Sequence, residues 1–423
     1  MKKFVWILLA LCLVLGCIVG YTVSKNNAKD LGEPVALYDP ENIAEPELPE
    51  ESAEAPEDAG APDAEQAQSV TLRLIDYETL YKLHAPDEIV GSVDGRELSW
   101  DEYFYWLHNW GTEAESYIQM MLMYGQSIDW TDKLSSDSEA TLADYVLELA
   151  NDYARQFSVI EATAQEYGAA LSPEDEQELA AQLQETIASA IGEGATEEDF
   201  NALLAESYIS RDMYDRVVKS DYLINAIYST LYGEKSEKIT EDEALGYLED
   251  NGYLYASHIL FMTIDPTTYE ALDAETIAQK QALAEKVYAE LCAITDPDER
   301  VRRFAELKEQ YCEDSGKETY PDGYLFTPGT MVEEFENAVK ALEAYEISAP
   351  VESGYGYHVI LRLPLSAETV MGYADDNTPM TARDAFANEQ FNALMTARVE
   401  SSVLTLSDEV AAIDLMDYLV DVE

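Results

Sequence analysis

The pattern of apolar and polar residues divides the chain into a mainly helical part and a smaller mixed part. From Ser99 to about Gly233, apolar residues recur at the three- and four-residue spacing of amphipathic helices. Capping sequences such as Ser172-Pro173-Glu174-Asp175 mark helix starts. Ahead of this stretch, Ile89–Leu98 alternates around an Asp-Gly pair, which predicts a β-hairpin. The character of the chain changes after Asn251-Gly252.

The mixed part has the order strand, helix, helix, helix, strand. Tyr253–Met262 and Gly356–Leu363 are apolar runs typical of strands. The helical patterns between them lie at about 274–293, 298–311 and 331–342. This order within about 110 residues predicts a compact α+β module. We expect a further helix at about 382–404 and a last helical piece at 408–419, which would pack back on the N-terminal helices.

The N-terminal segment predicts export and attachment to a membrane. Lys2 and Lys3 precede a nearly uninterrupted apolar run, Phe4–Val23, which has the length of about 20 residues that a spanning helix needs. Lysines before such a run favour an N-terminus inside the cell. Leu15-Gly16-Cys17 also resembles a lipoprotein cleavage site. We therefore expect residues 1–25 to be either an uncleaved signal anchor or a lipoprotein signal lipidated at Cys17, with the rest of the chain extracytoplasmic.

Charge is distributed unevenly and is strongly negative overall. Residues 26–70 are rich in Pro, Glu, Asp and Ala and cannot bury enough apolar surface to offset the entropy of ordering, so we expect a disordered acidic linker. The whole chain has 85 acidic and 25 basic side chains, a formal net charge of −60. This excess argues against binding of nucleic acid through phosphate neutralisation.

Cysteine usage predicts a fold without disulfides. Cys12 and Cys17 lie in the N-terminal segment, and Cys292 and Cys312 form neither a Cys-x-x-Cys pair nor a zinc spacing. We expect both of the latter to be free thiols. Neither a cofactor nor a metal is expected.

One helical segment, Tyr117–Tyr124, is unusually rich in methionine and tyrosine. It belongs either to the core or to an exposed surface, since flexible methionine side chains adapt to many partners. Apolar helix faces more often form core, and we expect core here.

The candidate chemistry of the mixed module begins with His258 and His358, one in each predicted strand. A single histidine in a strand is more often a buried structural side chain than a catalyst. Two histidines in apolar strands far apart in sequence can meet when those strands are neighbours in one sheet. We expect the two imidazoles to form a hydrogen bond.

The motifs around these histidines resemble those of parvulin-type peptidyl-prolyl isomerases. Ala256-Ser257-His258-Ile259-Leu260 resembles the opening strand of the family, and Phe326–Glu336, with the sequence FTPGTMVEEFE, resembles its loop-and-helix signature. Further similarities follow in order and at family spacing, at Phe304–Leu307, Tyr311–Ser315, Glu346–Val351 and Gly354–His358.

The resemblance implies roles for individual residues. The polar residues expected at the active site are His258, Asp314 and His358. The residues expected to contact substrate, in the proline pocket and at its rim, are Phe326, Met331, Phe335, Ser353 and Tyr355. Rotation about a peptide bond breaks no covalent bond, so the reaction needs neither nucleophile nor metal. The alternative for these residue types is a mononuclear metal site of two histidines and an aspartate.

The sequence departs from the family pattern at one loop. Pro321-Asp322-Gly323-Tyr324-Leu325 stands where the family usually has Gly-Asp-Leu-Gly, so Gly323 replaces an apolar leucine and one wall of the pocket is in question. The loop after the first strand, Thr263–Thr268, has none of the arginines and lysines that phosphate-selective members carry. Selectivity for phosphopeptides is therefore not expected.

The order of segments outside the module resembles that of exported foldases of the PrsA/SurA-like family. We expect an α+β fold, with a parvulin-like antiparallel sheet and surrounding helices inserted in a mainly α-helical chaperone-like domain. After the anchor and linker, the expected domains are a helical domain at 71–250, the isomerase domain at 251–365 and C-terminal helices at 366–423 that pack on the helical domain.

The resemblance implies a peptidyl-prolyl cis–trans isomerase and foldase. Its partners would be unfolded or newly exported polypeptides that contain proline, together with the membrane through the N-terminal anchor. The alternative is a non-catalytic holdase chaperone that uses an isomerase fold to bind unfolded chains. A third hypothesis is a docking scaffold for a single protein partner.

Overall fold

The computed structural model describes residues 72–134, 138–374 and 378–422. The expected anchor or lipoprotein signal, Cys17 and the acidic linker lie outside these residues. Among the helices of the described ranges, none is both long and apolar enough to cross a bilayer.

Helices and antiparallel sheets together make up the described part of the chain. The helices, in chain order, are α1 Tyr77–Tyr81, α2 Trp100–Met123, α3 Leu142–Tyr167, α4 Pro173–Ala190, α5 Glu197–Glu206, α6 Arg211–Tyr232, α7 Glu241–Asp250, α8 Ala274–Cys292, α9 Pro297–Tyr311, α10 Glu333–Lys340, α11 Ala382–Ser401 and α12 Asp408–Ala411, with 3-10 turns at Ser315–Glu318 and Leu415–Tyr418. The strands are β1 Leu72–Ile75, β2 Ile89–Val93, β3 Arg96–Ser99, β4 Leu254–Met262, β5 Tyr324–Phe326, β6 Val351–Ser353, β7 Gly356–Arg362, β8 Val370–Tyr373, β9 Pro379–Thr381, β10 Leu404–Leu406 and β11 Leu419–Val422.

The chain divides into two compact units. In the described residues, the first unit contains 72–234 and 390–422, and the second contains 235–389. Every strand pair in both units is antiparallel. The expected α+β class is confirmed.

Helices α2, α3 and α6 pack together at the centre of the first unit. Ser99 begins α2 by accepting a hydrogen bond from the backbone N–H of Glu102, as expected for an N-cap. The first turns of α2 then bury large aromatic side chains, among them Trp100, Phe104 and Trp106, each at most 1% exposed. Burial of these rings is the main source of stability for the helical unit.

The ends of the described chain meet in the first unit. Strand β11 pairs with β1, and β10 adds to the β2–β3 hairpin, whose turn holds Asp94 and Gly95 at φ 50° and 84°. The C-terminal segment is less helical than the sequence pattern indicates. In place of one helix over 408–419, the structure has α12, a 3-10 turn and strand β11. The reason is that this segment completes strand pairs with residues more than 300 positions earlier.

The expectation that Tyr117–Tyr124 is core is wrong for most of this segment. Ile118 is buried, but Met120, Met123 and Tyr124 are 43%, 83% and 76% exposed. The last turns of α2 therefore present methionine and tyrosine side chains to solvent.

A nearly buried carboxylate links four elements of the first unit. Glu102 on α2 is 2% exposed and accepts hydrogen bonds from Arg96 of β3 at 2.9 and 3.0 Å and from Arg216 of α6 at 2.8 Å. Both guanidinium groups also contact Glu161 of α3. The two arginines thus balance two carboxylates, which offsets part of the cost of desolvating the charges.

The second unit is built on a four-stranded sheet of order β5-β4-β7-β6. One face of the sheet carries Ile259, Phe261 and Val359, which pack against α8 and α9. The other face carries Ala256 and Ile360, which form a cluster with residues of α10. The two central strands are buried on both faces, which explains why their sequences are continuously apolar.

The second unit is wider than the isomerase domain expected from motifs. Its bounds of 235 and 389 take in α7 and the start of α11, which were expected to lie in the flanking helical regions. Ser236 donates a hydrogen bond to Asp384 at 2.8 Å, and the rings of Tyr247 and Phe386 lie 5.7 Å apart. These long-range contacts join the two segments that flank the motifs, and no local pattern predicts them.

We predict that Glu102→Gln lowers the free energy of unfolding of the first unit by about 3 kcal/mol, because it removes a buried carboxylate and leaves Arg96 and Arg216 to share Glu161. Urea unfolding followed by tryptophan fluorescence measures this, since Trp100, Trp106 and Trp130 all lie in this unit's core. The matched control is Glu78→Gln, which removes an exposed carboxylate from its pair with Lys82 and should cost less than about 1 kcal/mol. Equal, small losses for both variants would contradict the prediction.

Candidate active site

The pairing of β4 with β7 brings the two histidines together. In this antiparallel pair, His258 lies opposite Ile360, and Leu260 lies opposite His358. Residues opposite each other share a face, and so do residues two apart on one strand, which makes His258 and His358 diagonal neighbours on one face. Their Nδ1 atoms lie 2.9 Å apart and their rings are nearly parallel, at 13°. The expected hydrogen bond is present.

Asp314 reaches the histidines because the segment after α9 follows the free edge of β4. Strand β5 covers only the first residues of β4. Farther along, the N–H of Leu260 donates to Cys312 Sγ at 3.4 Å, and the carbonyl of Leu260 accepts from the N–H of Glu313 at 3.0 Å. The next residue, Asp314, then places Oδ2 at 2.8 Å from His258 Nε2.

The contacts define a chain of donors that runs in one direction. Ionised Asp314 can only accept, so His258 donates through Nε2, and the neutral tautomer of His258 that does so accepts at Nδ1. His358 therefore donates from Nδ1 to His258 and accepts at Nε2, where Ser353 Oγ lies at 2.7 Å and donates. Ser353 Oγ in turn accepts from the N–H of Tyr355 at 3.1 Å. Each histidine is neutral in this arrangement and has both ring nitrogens engaged.

Electrostatics agree with this assignment of protons. Hydrogen bonds from His258, Tyr324 and the Gly316 N–H hold the pKa of Asp314 well below its usual range, although burial acts in the opposite direction. Burial, with a contribution from His258, lowers the pKa of His358 to about 3. An ionised Asp314 and a neutral His358 are therefore the states of these two groups at neutral pH.

An apolar cluster lies beside the polar chain. The rings of Phe326 and Phe335 are 5.9 Å apart and each side chain is 4% exposed. Met331 is partly buried against them. Phe335 contacts both imidazoles edge-on, with ring centroids at 5.3 Å from His258 and 5.6 Å from His358. The three residues expected in the proline pocket thus lie together.

The residues expected at the rim are placed differently from each other. Ser353 is part of the hydrogen-bonded chain through its side chain. The backbone carbonyl of Tyr355 accepts a hydrogen bond from the N–H of Thr263 at 3.0 Å. Tyr355 itself is 45% exposed. The expected free thiols are also found, with Cys292 exposed and Cys312 buried.

Three residues at the site were not identified from sequence. Tyr324 donates from its hydroxyl to Asp314 Oδ2 at 2.5 Å. Lys308 is 8% exposed and donates from Nζ to Ser257 Oγ and to the carbonyl of Pro321, at 3.1 and 2.9 Å. Cys312 accepts a hydrogen bond from the N–H of Leu260 at the free edge of β4. Their residue types carry no local signal, because each acts through a partner distant in sequence.

The arrangement does not favour the alternative of a metal site. Both nitrogens of His258 are used by His358 and Asp314, which leaves that residue without a free ligand atom. Across the described ranges, no cluster of three or more His, Cys, Asp or Glu side chains is arranged to hold a metal ion.

Comparison with known proteins finds a match to one family model within the second unit. Residues 258–363 match the family model of the PPIC-type PPIASE domain, also described as rotamase. The prediction of a parvulin-type isomerase domain is therefore confirmed for this segment. The segment includes both histidines, Asp314 and the apolar cluster.

The wider chain is similar to proteins named as foldases. Foldase protein PrsA 4 of Bacillus cereus is 29% identical over 184 residues, covering 39% of this chain and 65% of the relative. Foldase protein PrsA of Halalkalibacterium halodurans is 33% identical over 182 residues, covering 42% and 47%. The chain thus spans less than two thirds of the length of these relatives. A crystal structure of peptidylprolyl isomerase (PrsA) from Bacillus cereus covers 64% of this chain and 87% of its own at 20% identity, with a TM-score of 0.22.

We predict that the imidazole of His358 does not titrate between about pH 8 and pH 5, because its pKa lies far below the ordinary value of about 6.5. The unfolded chain binds this proton and the folded chain does not, so the contribution of His358 to stability falls as the pH drops below about 6.5, by about 1.4 kcal/mol per unit. An NMR titration of labelled histidines measures the pKa, with His358→Gln to assign the resonance. A midpoint near the ordinary value would refute the proton assignment.

Proposed function

We propose that this chain is a peptidyl-prolyl cis–trans isomerase that assists the folding of exported polypeptides outside the cytoplasmic membrane. The observation that carries the proposal is a fully engaged polar chain next to an apolar cluster, inside the segment that matches the PPIC-type domain. Similarity to foldases supports the action on client polypeptides.

The reaction needs a site that lowers a rotational barrier. Resonance stiffens the C–N bond and sets a barrier of about 18–20 kcal/mol. Uncatalysed isomerisation before proline takes tens to hundreds of seconds and can limit folding. In the transition state the amide is twisted and has lost its resonance, so the nitrogen and carbonyl carry less separated charge than in the planar state.

The apolar cluster favours the twisted amide by excluding water from it. Met331, with Phe326 and Phe335 behind it, would hold the proline ring and exclude water from the amide. Planar amides are more polar than twisted ones and depend more on hydration, so removing water favours the twist. Phe335 also contacts both imidazoles, so the same ring joins the apolar and polar parts of the site.

The hydrogen-bonded chain of polar side chains provides a preorganised electrostatic field and does not act as an acid or base. His358 stays neutral at physiological pH, and neither nitrogen of His258 is free to take a substrate proton. The four side chains hold one another in fixed orientations, so they need not rearrange as the amide twists. Asp314 is the carboxylate of this chain of residues, and its lowered pKa keeps it ionised.

Export and membrane attachment are part of the proposal. Residues 1–25 are proposed to be a signal anchor or a lipoprotein signal, on the pattern of lysines followed by a long apolar run. The mass of the mature N-terminus distinguishes the two forms. Clients are proposed to be proline-containing and without phosphate, since the loop after β4 carries Asp265 and Glu270 and no basic residue up to Asp273.

We predict that Asp314→Ala lowers kcat/KM on a proline tetrapeptide by at least about tenfold, the size expected when a preorganised polar group is lost. A protease-coupled assay on the full chain measures the rate. The matched control is Asp298→Ala, an exposed carboxylate at the start of α9, which should leave the rate unchanged. Wild-type protein that gives only the uncatalysed rate would overturn the proposal, and an unchanged Asp314→Ala variant would overturn the assigned site.

A second candidate function, binding of unfolded chains as a holdase chaperone, is favoured by the exposed end of α2. Tyr117, Met120, Met123 and Tyr124 present apolar surface there, between 37% and 83% exposed. Exposed methionine and tyrosine at one place suit contact with varied unfolded segments. Client binding at this surface is compatible with isomerase activity, because the surface and the isomerase domain belong to different units.

We predict that replacing Met120, Met123 and Tyr124 together by serine removes the ability of the chain to suppress aggregation of heat-unfolded citrate synthase. Isomerase activity on a tetrapeptide should not change, because α2 lies outside the isomerase unit. Val403→Ser, at an isolated exposed valine of the same unit, is the control. Full suppression by the triple variant would exclude this surface as the client site. Suppression by a wild type that is inactive on tetrapeptide would favour the holdase alternative.

A further inference from the structure

Tyr324 stands at the position where the sequence departs from the family pattern, directly after Gly323. It begins β5 and lies opposite Ala256, two residues before His258. Its hydroxyl donates to Asp314 Oδ2 at 2.5 Å, and its ring lies edge-on to His258 with centroids 5.6 Å apart. Oδ2 therefore accepts from Tyr324 and His258 together, while Oδ1 accepts from Gly316 N–H at 2.9 Å.

Gly323 explains how Tyr324 reaches this place. Its φ is 127°, a conformation that favours glycine. A Cβ at this residue would lie 2.8 Å from the carbonyl oxygen of Ala256 and 2.9 Å from Leu363 Cδ1. The glycine thus lets the chain approach β4 closely just before β5 begins. Gly323, the residue at which one wall of the pocket was in question, therefore allows Tyr324 to reach this position.

Gly316 supplies the space for the hydroxyl. A Cβ at Gly316 would lie 2.1 Å from Tyr324 Oη and 3.3 Å from Cζ. Any larger residue would have to displace the hydroxyl from Asp314. Gly323 and Gly316, at separate places in the chain, therefore both accommodate the side chain of Tyr324. An aromatic ring without a hydroxyl would need only Gly323.

Lys308 fixes the turn ahead of Tyr324. Its buried ammonium donates to the carbonyls of Tyr320 and Pro321, at 3.4 and 2.9 Å, and to Ser257 Oγ on β4. These hydrogen bonds connect the turn to β4, the strand that carries His258, and so fix the position of Tyr324 relative to His258.

We propose that Tyr324 is a positioning residue of the isomerase site, whose hydroxyl holds the Asp314 carboxylate turned towards His258. This inference rests on the proposed function. Tyr324 acts through Asp314 and His258, not through the proline pocket. Without the hydroxyl, Oδ2 keeps one donor in place of two, and the carboxylate is held only by His258 and by the Gly316 N–H. The orientation of His258 then depends on a less constrained partner.

The test compares Tyr324→Phe with the control Tyr320→Phe in the full chain. Tyr320 is the neighbouring half-exposed tyrosine, with its ring 4.9 Å from that of Tyr324. We expect Tyr324→Phe to lower kcat on a proline tetrapeptide by about tenfold with KM unchanged, the loss expected for one hydrogen bond to a charged group. Tyr320→Phe should behave as wild type. A rise in KM alone, or no change in either constant, would overturn the inference.

An NMR measurement separates this inference from the proposed function. The His258 Nε2–H proton, held on Asp314, should give a sharp resonance in the wild type and in Tyr320→Phe. In Tyr324→Phe it should broaden through exchange with solvent. If the wild type has no isomerase activity, the proposed function fails, and this resonance still tests the positioning role. A resonance that stays sharp in Tyr324→Phe would overturn that role.

A double-mutant cycle with Gly316→Ala tests the mechanism. The added methyl group should displace the hydroxyl, so Gly316→Ala alone should lower kcat to the level of Tyr324→Phe. In the double variant there is no hydroxyl to displace, and the methyl group needs a shift of only a few tenths of an ångström from the ring. The double variant should therefore be no slower than Tyr324→Phe. Losses that multiply would show that Gly316 acts independently and would overturn the coupling.

Discussion

The register of β4 against β7 is the constraint on which the active site depends. It sets His258 opposite Ile360 and thereby places His358 on the same face, within reach of a hydrogen bond. A slip by one residue would send one histidine to the face that packs on α8 and α9. Apolar side chains on both faces of these strands hold the register, because any slip would also misplace the residues of both clusters. The packing of the sheet and the chemistry of the site are thus specified together.

Once the register is set, the remaining polar groups follow from the need to satisfy buried donors and acceptors. Asp314 arrives along the free edge of β4, and Ser353 arrives on β6. Each group in the chain donates to the next, and the sequence of donors ends on a carboxylate that can only accept. Such a network costs little reorganisation when a substrate twists.

The departure at Gly323 shows how a local change of sequence can be absorbed by its surroundings. The leucine usual in the family is absent, but the close approach at Gly323 brings Tyr324 onto Asp314. Gly316 and Lys308 adjust the space and the turn around it. In this chain, the carboxylate of Asp314 accepts from three donors, the third of which is Tyr324.

Local patterns in the sequence determined the two central strands of the second unit, the helix caps and the hairpin at Asp94-Gly95, because these depend on neighbours a few residues apart. The motifs also identified both histidines, Asp314 and the aromatic residues beside them, although their roles remain predictions. Tertiary structure alone decided that Met123 faces solvent, that 235–250 packs with the start of α11, and that the Tyr324 hydroxyl meets Asp314. It also decided which ring nitrogens of His258 and His358, which lie 100 residues apart, face each other. These features depend on which residues distant in sequence become neighbours and on where the fold excludes water. The periodicity of apolar residues along the chain contains neither kind of information.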